Sequence, residues 1–277
     1  VSSFQSSSLA ALLALAAALP SAPPPALAAD PVRVVILKEH VVGSAAHAQP
    51  YVDKLVAVAA KLNGWPSAEG KFFTRREAAV KYVAESKPRF GMVSLAAFLA
   101  LRKDSGLAVL GIVDVASAGG RSYHVISREA AELAACKGKT LASDHADDPR
   151  FIERVVADGA FKLGDFKLIE TQRPVQTIKK VTSGEAVCAL VDDAQLRELA
   201  HIDGAAGVRE VWKSKTLPPM AVVAFAGASA PEREKFRSSL SAICTGDGKS
   251  HCDKVGIREL KPAGEDSYAE VTKKYGD

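Results

Sequence analysis

The chain has 277 residues, 48% of them hydrophobic and 6% aromatic, with 36 Lys and Arg against 32 Asp and Glu. That length and apolar share are enough to bury a sizeable core. The small positive excess is dispersed, with no basic stripe or arginine cluster, which speaks against nucleic acid as a partner.

The first charged residue is Asp30. Before it come an apolar run over 9–19, the breaker SAPPP, and Ala26-Leu27-Ala28. This order of apolar region, breaker and small-residue site is that of a secretory signal peptide, although the leading VSSFQSSS carries no Lys or Arg. The run is too short for a bilayer span, which needs roughly 20 apolar residues. The expected mature protein, from Asp30 onward, is exported and soluble.

Residues 32–37 predict a strand with apolar side chains on both faces. After the loop 38–49, the spacing of Tyr51, Leu55, Val58 and Leu62 predicts a helix over 50–63, ended by Gly64. Thr74 and Glu77 have capping-box spacing for another helix. Residues 90–93 read as a short strand, Ser94 as the cap of the helix LAAFLALRK, and 107–115 as the longest apolar strand.

The stretch 137–193 reads as a strand-helix-strand-helix-strand unit. Its strands include the apolar runs 140–142 and 186–191. Asp148-Pro149 is a helix start, with an N-cap carboxylate and a proline where its missing N–H costs nothing. Gly159 and Gly184 are expected to close the two helices. A helix over 194–201 and a strand over 208–212 follow, then KSKTLPPM, whose prolines suit a crossing segment rather than a sheet interior. A strand over 221–226 leads into a helical end, where Ser229 with Glu232 and Ser267 with Glu270 have capping-box spacing.

Repeated strand-helix alternation predicts an α/β fold of mostly parallel sheets with helices on their faces. With GGRSY and KTLPPM as the crossings, the chain divides into a signal peptide (1–29), the first part of one lobe (30–119), an inserted second lobe (120–217), and the return to the first lobe with the C-terminal helices (218–277). Polar loops at the carboxyl ends of the strands, 143–148 and 192–193, are expected to share one cleft, since ligands of open α/β sheets bind at that edge.

Four cysteines in an exported chain point to disulfides. Cys244 and Cys252 bracket a short polar loop suited to a bridge. Cys136 and Cys188 stand near the beginnings of two strands and pair if those strands are neighbours; otherwise they are buried thiols. The GDGKS within the first loop is not a phosphate loop, because the first glycine of that motif would fall on Ile243. Histidines at 40, 47, 124, 145, 201 and 251 show no metal-binding spacing, and no cofactor motif is present.

In order along the chain, VVILKEH, FGMVSLAAFLALR, CKGKTLA, TSGEAVCALVDD and VWKSKTLPPMAVVAF resemble a periplasmic type 2 solute-binding protein. The similarity is greatest to the phosphate/phosphonate branch that serves ATP-driven (ABC) importers. It implies two α/β lobes on a two-strand hinge, closing on a small ligand and presenting it to an inner-membrane permease. The implied protein is a monomer without enzymatic activity. Its ligand contacts are expected from Ser44 and Tyr51 near the first helix, Ser94 after a strand of lobe one, and Tyr123 in the hinge, where only one of Tyr123 and His124 can face the cleft. Lobe two adds Ser143, Asp144 and His145 in the cleft loop, Arg173 after FKLIET, and the acidic contact Asp192. Ser94 and Asp192 are also explained as helix caps, Tyr51 as core and Arg173 as a surface residue. The loop SDHADDPR carries three aspartates where phosphonate binders are Ser/Thr-rich, and only Arg150 and His145 are at hand to offset them. A sensor subunit for a signalling receptor is the alternative. An enzyme using Ser94, His145 and Asp192 ranks lower, because no G-x-S-x-G surrounds the serine.

Overall fold

All but one residue of β1 (Val32–Leu37) are buried, as expected for a strand covered on both faces. The computed structural model describes residues 30–41, 44–115 and 119–276, so the predicted signal peptide lies outside the described residues. After β1 come α1 (Ala45–Asn63), β2 (Ala68–Phe73), α2 (Arg76–Ser86), β3 (Phe90–Val93), α3 (Leu95–Leu101) and β4 (Ala108–Val115). The chain then enters a second unit: β5 (Tyr123–Ser127), α4 (Leu133–Cys136), β6 (Thr140–Ser143), and α5 (Pro149–Phe151) running into a π-helical turn at Ile152–Val156. This unit continues with β7 (Lys167–Glu170), α6 (Pro174–Thr182), β8 (Cys188–Asp192), α7 (Asp193–Glu198) and β9 (Arg209–Lys213). It returns through β10 (Met220–Ala224), α8 (Ala230–Ile243), α9 (Lys249–Lys254), β11 (Ile257–Pro262) and α10 (Ala269–Tyr275).

The strands form two sheets, ordered β11-β4-β10-β3-β1-β2 and β7-β6-β8-β5-β9. The expected parallel pairing holds within β2-β1-β3 and β7-β6-β8, where helices make the crossovers. Pairing is antiparallel where a strand has entered from the other sheet or returned to it, as β10 does between β3 and β4. The same holds for β5 between β8 and β9, and the edge strand β11 also pairs antiparallel with β4.

The two segments that cross between the sheets run side by side. Leu217 N donates to Arg121 O at 2.8 Å, and Arg121 Nε donates back to Leu217 O at 2.8 Å. Gly119 enters this crossing at φ +78°, and a Cβ there would meet Asp192 Oδ2 at 2.2 Å, so the close approach of the hinge to β8 requires glycine. Beneath the crossing, one core spans both sheets and takes in Phe98, Val223, Tyr123, Phe151 and Tyr268. A second core packs α1 and α8 on the first sheet through Leu55, Phe90, Phe236 and Leu240.

Several local expectations change. The first helix begins at Ala45, five residues before Pro50, because Ser44 caps it and accepts from His47 N. Pro50 therefore sits inside the helix at the loss of one backbone bond. The Thr74/Glu77 and Ser267/Glu270 boxes do not form. Arg75 stands at the N-cap of α2, and residues 265–268 make a 3₁₀ turn before α10. The Ser229/Glu232 box does form. The C-terminal region is not wholly helical, since Ile257–Pro262 is the edge strand β11. Its mixed exposure, with only Ile257 and Leu260 buried, left no continuous apolar run to read. Both disulfides form, Cys136 with Cys188 and Cys244 with Cys252.

Candidate ligand-binding cleft

The strand ends β1, β3, β6 and β8 bring their following loops to one cleft between the two sheets. A small inner pocket of about 30 Å³ lies against the hinge, touched by Lys38, Ser94, Tyr123, His145 and Asp192. An outer cleft of about 830 Å³ opens from it, lined by Ser44, Thr74, Asp144, Asp147 and Arg173 among others. Glu39 and His40 border both.

The floor is a network of charges. Arg76, at the start of α2, donates through Nε and Nη2 to the two oxygens of Glu39 at 2.8 and 3.0 Å, and through Nη1 to Asp148 Oδ2 at 2.8 Å. The first pair lies within one lobe and the second joins the two. Burial acts against the Arg76 charge, but the two carboxylates outweigh it and hold the guanidinium firmly protonated. Ser94 Oγ donates to Glu39 Oε2 at 3.1 Å while also capping α3.

His40 reaches across from the loop after β1. Its Nδ1 lies 3.5 Å from Asp144 Oδ2 and its Nε2 3.5 Å from Asp147 Oδ1, and its ring centroid is 4.3 Å from that of His145. Burial alone would lower the His40 pKa, but Asp144, Asp147 and Glu39 raise it above its ordinary value. Burial would raise Asp144, yet His145, His40 and the Gln195 hydrogen bond bring it below the usual carboxylate range. Asp144 Oδ1 accepts from Gln195 Nε2 at 2.7 Å and from Thr177 Oγ1 at 3.0 Å; its buried Oδ2 takes no hydrogen bond.

The sign of the pH dependence follows from these two shifts. A raised imidazole contributes stability that is complete below its ordinary 6.5 and disappears as pH climbs through the raised value. A lowered carboxylate contributes above its ordinary 3.8 and loses that contribution only in stronger acid. The His40–Asp144 contact should therefore stabilise the protein most between these limits. His40→Ala should lose this stability near pH 5 and lose less at alkaline pH, as read from thermal midpoints across the range. A difference that stays constant with pH would remove His40 from the charge network.

Inside the small pocket, burial depresses Lys38 to about 8 against the pull of Asp192 and Asp193. Burial also raises Asp192, partly offset by His145 and a backbone hydrogen bond at Gln195.

Most of the sequence-predicted residues meet here. Asp144 and His145 lie on the floor. Tyr123, not His124, faces it, with its ring set edge-on to His145 at 5.1 Å. His124 turns away to Ser122 and Glu210. Asp192 reaches the small pocket, with its Oδ1 engaged in capping α7 through the N–H groups of Ala194 and Gln195. Ser143 borders the cleft, but its hydroxyl donates to Leu190 O and accepts from His145 N. Ser44 and Arg173 lie on the outer rim. Tyr51 is not among the cleft-lining residues; its ring lies beside His47 on α1. Arg150 does not offset the aspartate loop: its Nε donates to Tyr275 O at 2.7 Å, and its guanidinium lies over the Tyr275 ring. Ser94, His145 and Asp192 make no triad, each being bonded elsewhere: to Glu39, to Gln195, and to the backbone of α7.

Glu39, His40, Arg76 and Gln195 were not predicted. The charged KEH directly after an apolar strand was a signal for the first two. The D-x-x-Q spacing of a capping box marked Gln195 beside Asp192. Arg76 had no such signal, since a loop, α1 and β2 separate it from Glu39 in the chain. Among the described residues, no group of three or more His, Cys, Asp or Glu side chains is arranged to hold a metal ion, and no helix is long and apolar enough to cross a membrane.

No protein-family model matches the sequence, and no curated protein matches it significantly. Solved structures do match in fold. XAC2383 from Xanthomonas citri, bound to a chloride ion, superposes with a TM-score of 0.69 at 13% identity over 88% of this chain and 97% of its own. A binding protein component of an ABC phosphonate transporter from Pseudomonas aeruginosa, PA3383, gives 0.66 at 14% identity over 87% and 84%. PhnD1 from Prochlorococcus marinus, in complex with methylphosphonate, gives 0.63 at 12% identity over 88% and 97%. Identities this low carry the architecture alone. By fold, this two-lobed chain with its paired crossing segments is similar to the binding protein of a phosphonate transporter and to the methylphosphonate complex.

Proposed function

We propose that this protein is the periplasmic substrate-binding component of an ABC importer, a monomer without enzymatic activity. In this reading it captures a small solute by lobe closure and presents it to a membrane permease. The observation that carries the reading is the cleft itself. Loops from both sheets converge on about 830 Å³, and Arg76–Asp148 joins the lobes at its floor. The division at 120 and 217 is part of the same reading, with residues 120–217 moving as a body about the crossing at Arg121 and Leu217. Two disulfides suit an oxidising compartment.

The solved likenesses include a component of a phosphonate transporter and a methylphosphonate complex, so a phosphate- or phosphonate-like oxyanion is the first ligand to consider. For such a ligand the rim offers Ser44 and Arg173 at helix starts. The floor, lined by Glu39, Asp144 and Asp147, opposes it.

A thermal-shift panel of oxyanions, amino acids and polyamines, followed by small-angle scattering with any binder, tests the reading. A ligand at about 100 times its Kd adds roughly 2.7 kcal/mol, or about 5 to 10 °C in a protein of this size. The radius of gyration should fall when that ligand binds. A binder that leaves it unchanged would contradict capture by closure.

A further inference from the structure

Between the lobes, the position facing Asp144 and Asp147 is filled by the protein's own imidazole. His40 fills it loosely: both ring nitrogens stand 3.5 Å from a carboxylate oxygen, beyond a good hydrogen bond. Asp144 Oδ2 is thus buried without a donor, although Gln195 and Thr177 fix the other oxygen of the same carboxylate. A fixed, ionised, buried carboxylate with one oxygen unserved is a strong acceptor awaiting an N–H. Arg76 does not supply it: its Nε and Nη2 point to Glu39 and its Nη1 to Asp148. The His145 ring borders this socket, tilted 54° to the His40 ring, and Tyr123 stands edge-on to it.

We infer that the ligand of this cleft carries a planar cation with N–H donors on two edges, an amidinium or guanidinium, which displaces His40 from between Asp144 and Asp147 and packs beside His145. The inference rests on the solute-capture reading and narrows it to a class of ligand. A guanidinium matches a carboxylate with paired donors, which an imidazole cannot do. The rest of such a molecule has room in the outer cleft.

The groups facing His40 set the pH behaviour. They are Glu39 on its own loop, Arg76 on α2, and Asp144, His145, Asp147 and Asp148 on the opposite loop; Lys38, Tyr123 and Asp192 line the adjoining small pocket. In acid, an entering cation must expel an imidazolium; once pH exceeds the raised His40 value it displaces a neutral ring, and above about 8 it also meets a less charged Lys38. Cation binding should therefore tighten as pH rises. An anion held against protonated His40 would loosen instead.

The test is titration calorimetry of the full secreted chain with agmatine, benzamidine, methylphosphonate and zinc ions, at pH about 6 and about 8.5. Agmatine and benzamidine should bind, with affinity rising roughly tenfold or more at the higher pH. Asp144→Asn should weaken agmatine binding by roughly tenfold or more. His40→Ala should strengthen it by removing the competitor, a gain that a damaged fold would not produce. Binding of methylphosphonate with both planar cations silent would overturn the ligand class and leave solute capture standing. Binding of zinc alone would also overturn it. Silence of all four probes would count against both readings.

Discussion

Arg76→Ala should lower the stability of the protein by about 3 kcal/mol, because it strands two carboxylates in a poorly hydrated floor. Glu39 and Asp148 have side chains only 5% and 9% exposed, and both rest on this guanidinium. Arg76 itself is 24% exposed, which places the effect at the lower end of what breaking a buried pair costs. For a domain of this size the midpoint should fall by about 6 to 12 °C. Arg76→Lys should recover only a minor part, since an ammonium cannot serve both oxygens of Glu39 and one of Asp148 in fork geometry. Because the Asp148 arm joins the lobes, the alanine variant should also be more expanded in solution scattering. Unchanged stability and unchanged dimensions together would mean that the charge network neither supports the fold nor holds the lobes together.

Removing the Cys136–Cys188 bridge should cost still more. The bridge closes a loop of 52 residues, and on loop entropy it stabilises by about 4 kcal/mol. It ties the end of α4 to the start of β8, both fully buried, and β8 carries Asp192 into the small pocket. The Cys136→Ala/Cys188→Ala double variant should therefore lose about 8 to 16 °C in midpoint. Cys244–Cys252 spans only 8 residues in a peripheral turn, and its removal should cost about 2.5 kcal/mol. Comparable losses from the two pairs, measured by thermal unfolding with the other bridge intact, would contradict loop closure as the source of the difference.

Much of the architecture was legible from local pattern. The apolar runs at 32–37, 90–93 and 107–115 coincide closely with β1, β3 and β4, because a strand covered on both faces must be apolar throughout. Asp148-Pro149 and Ser229/Glu232 declared helix starts through chemistry confined to four residues. Signals failed where structure depends on distant partners. β2 and β11 are edge strands with mixed exposure, held by pairing with β1 and β4 rather than by their own composition. Thr74/Glu77 had the spacing of a capping box, yet the chain turns into α2 one residue later, with Arg75 in the cap position.

The site divides in the same way. That a loop rich in aspartates would face a cleft at the carboxyl ends of the strands could be read from the strand pattern and the helix start that follows it. By itself the sequence determined the alternation of elements and the residue types available at each strand end. Which charges meet was decided by the tertiary structure alone. Arg76 turns to Glu39 and Asp148, Arg150 leaves the aspartate loop for the carbonyl of Tyr275, and His40 crosses to Asp144 and Asp147. The physical reason is range. Backbone caps and apolar periodicity act over a few residues of chain, whereas a buried charge takes whichever counter-charge the folded lobes bring within a few ångströms, however far away it lies in sequence.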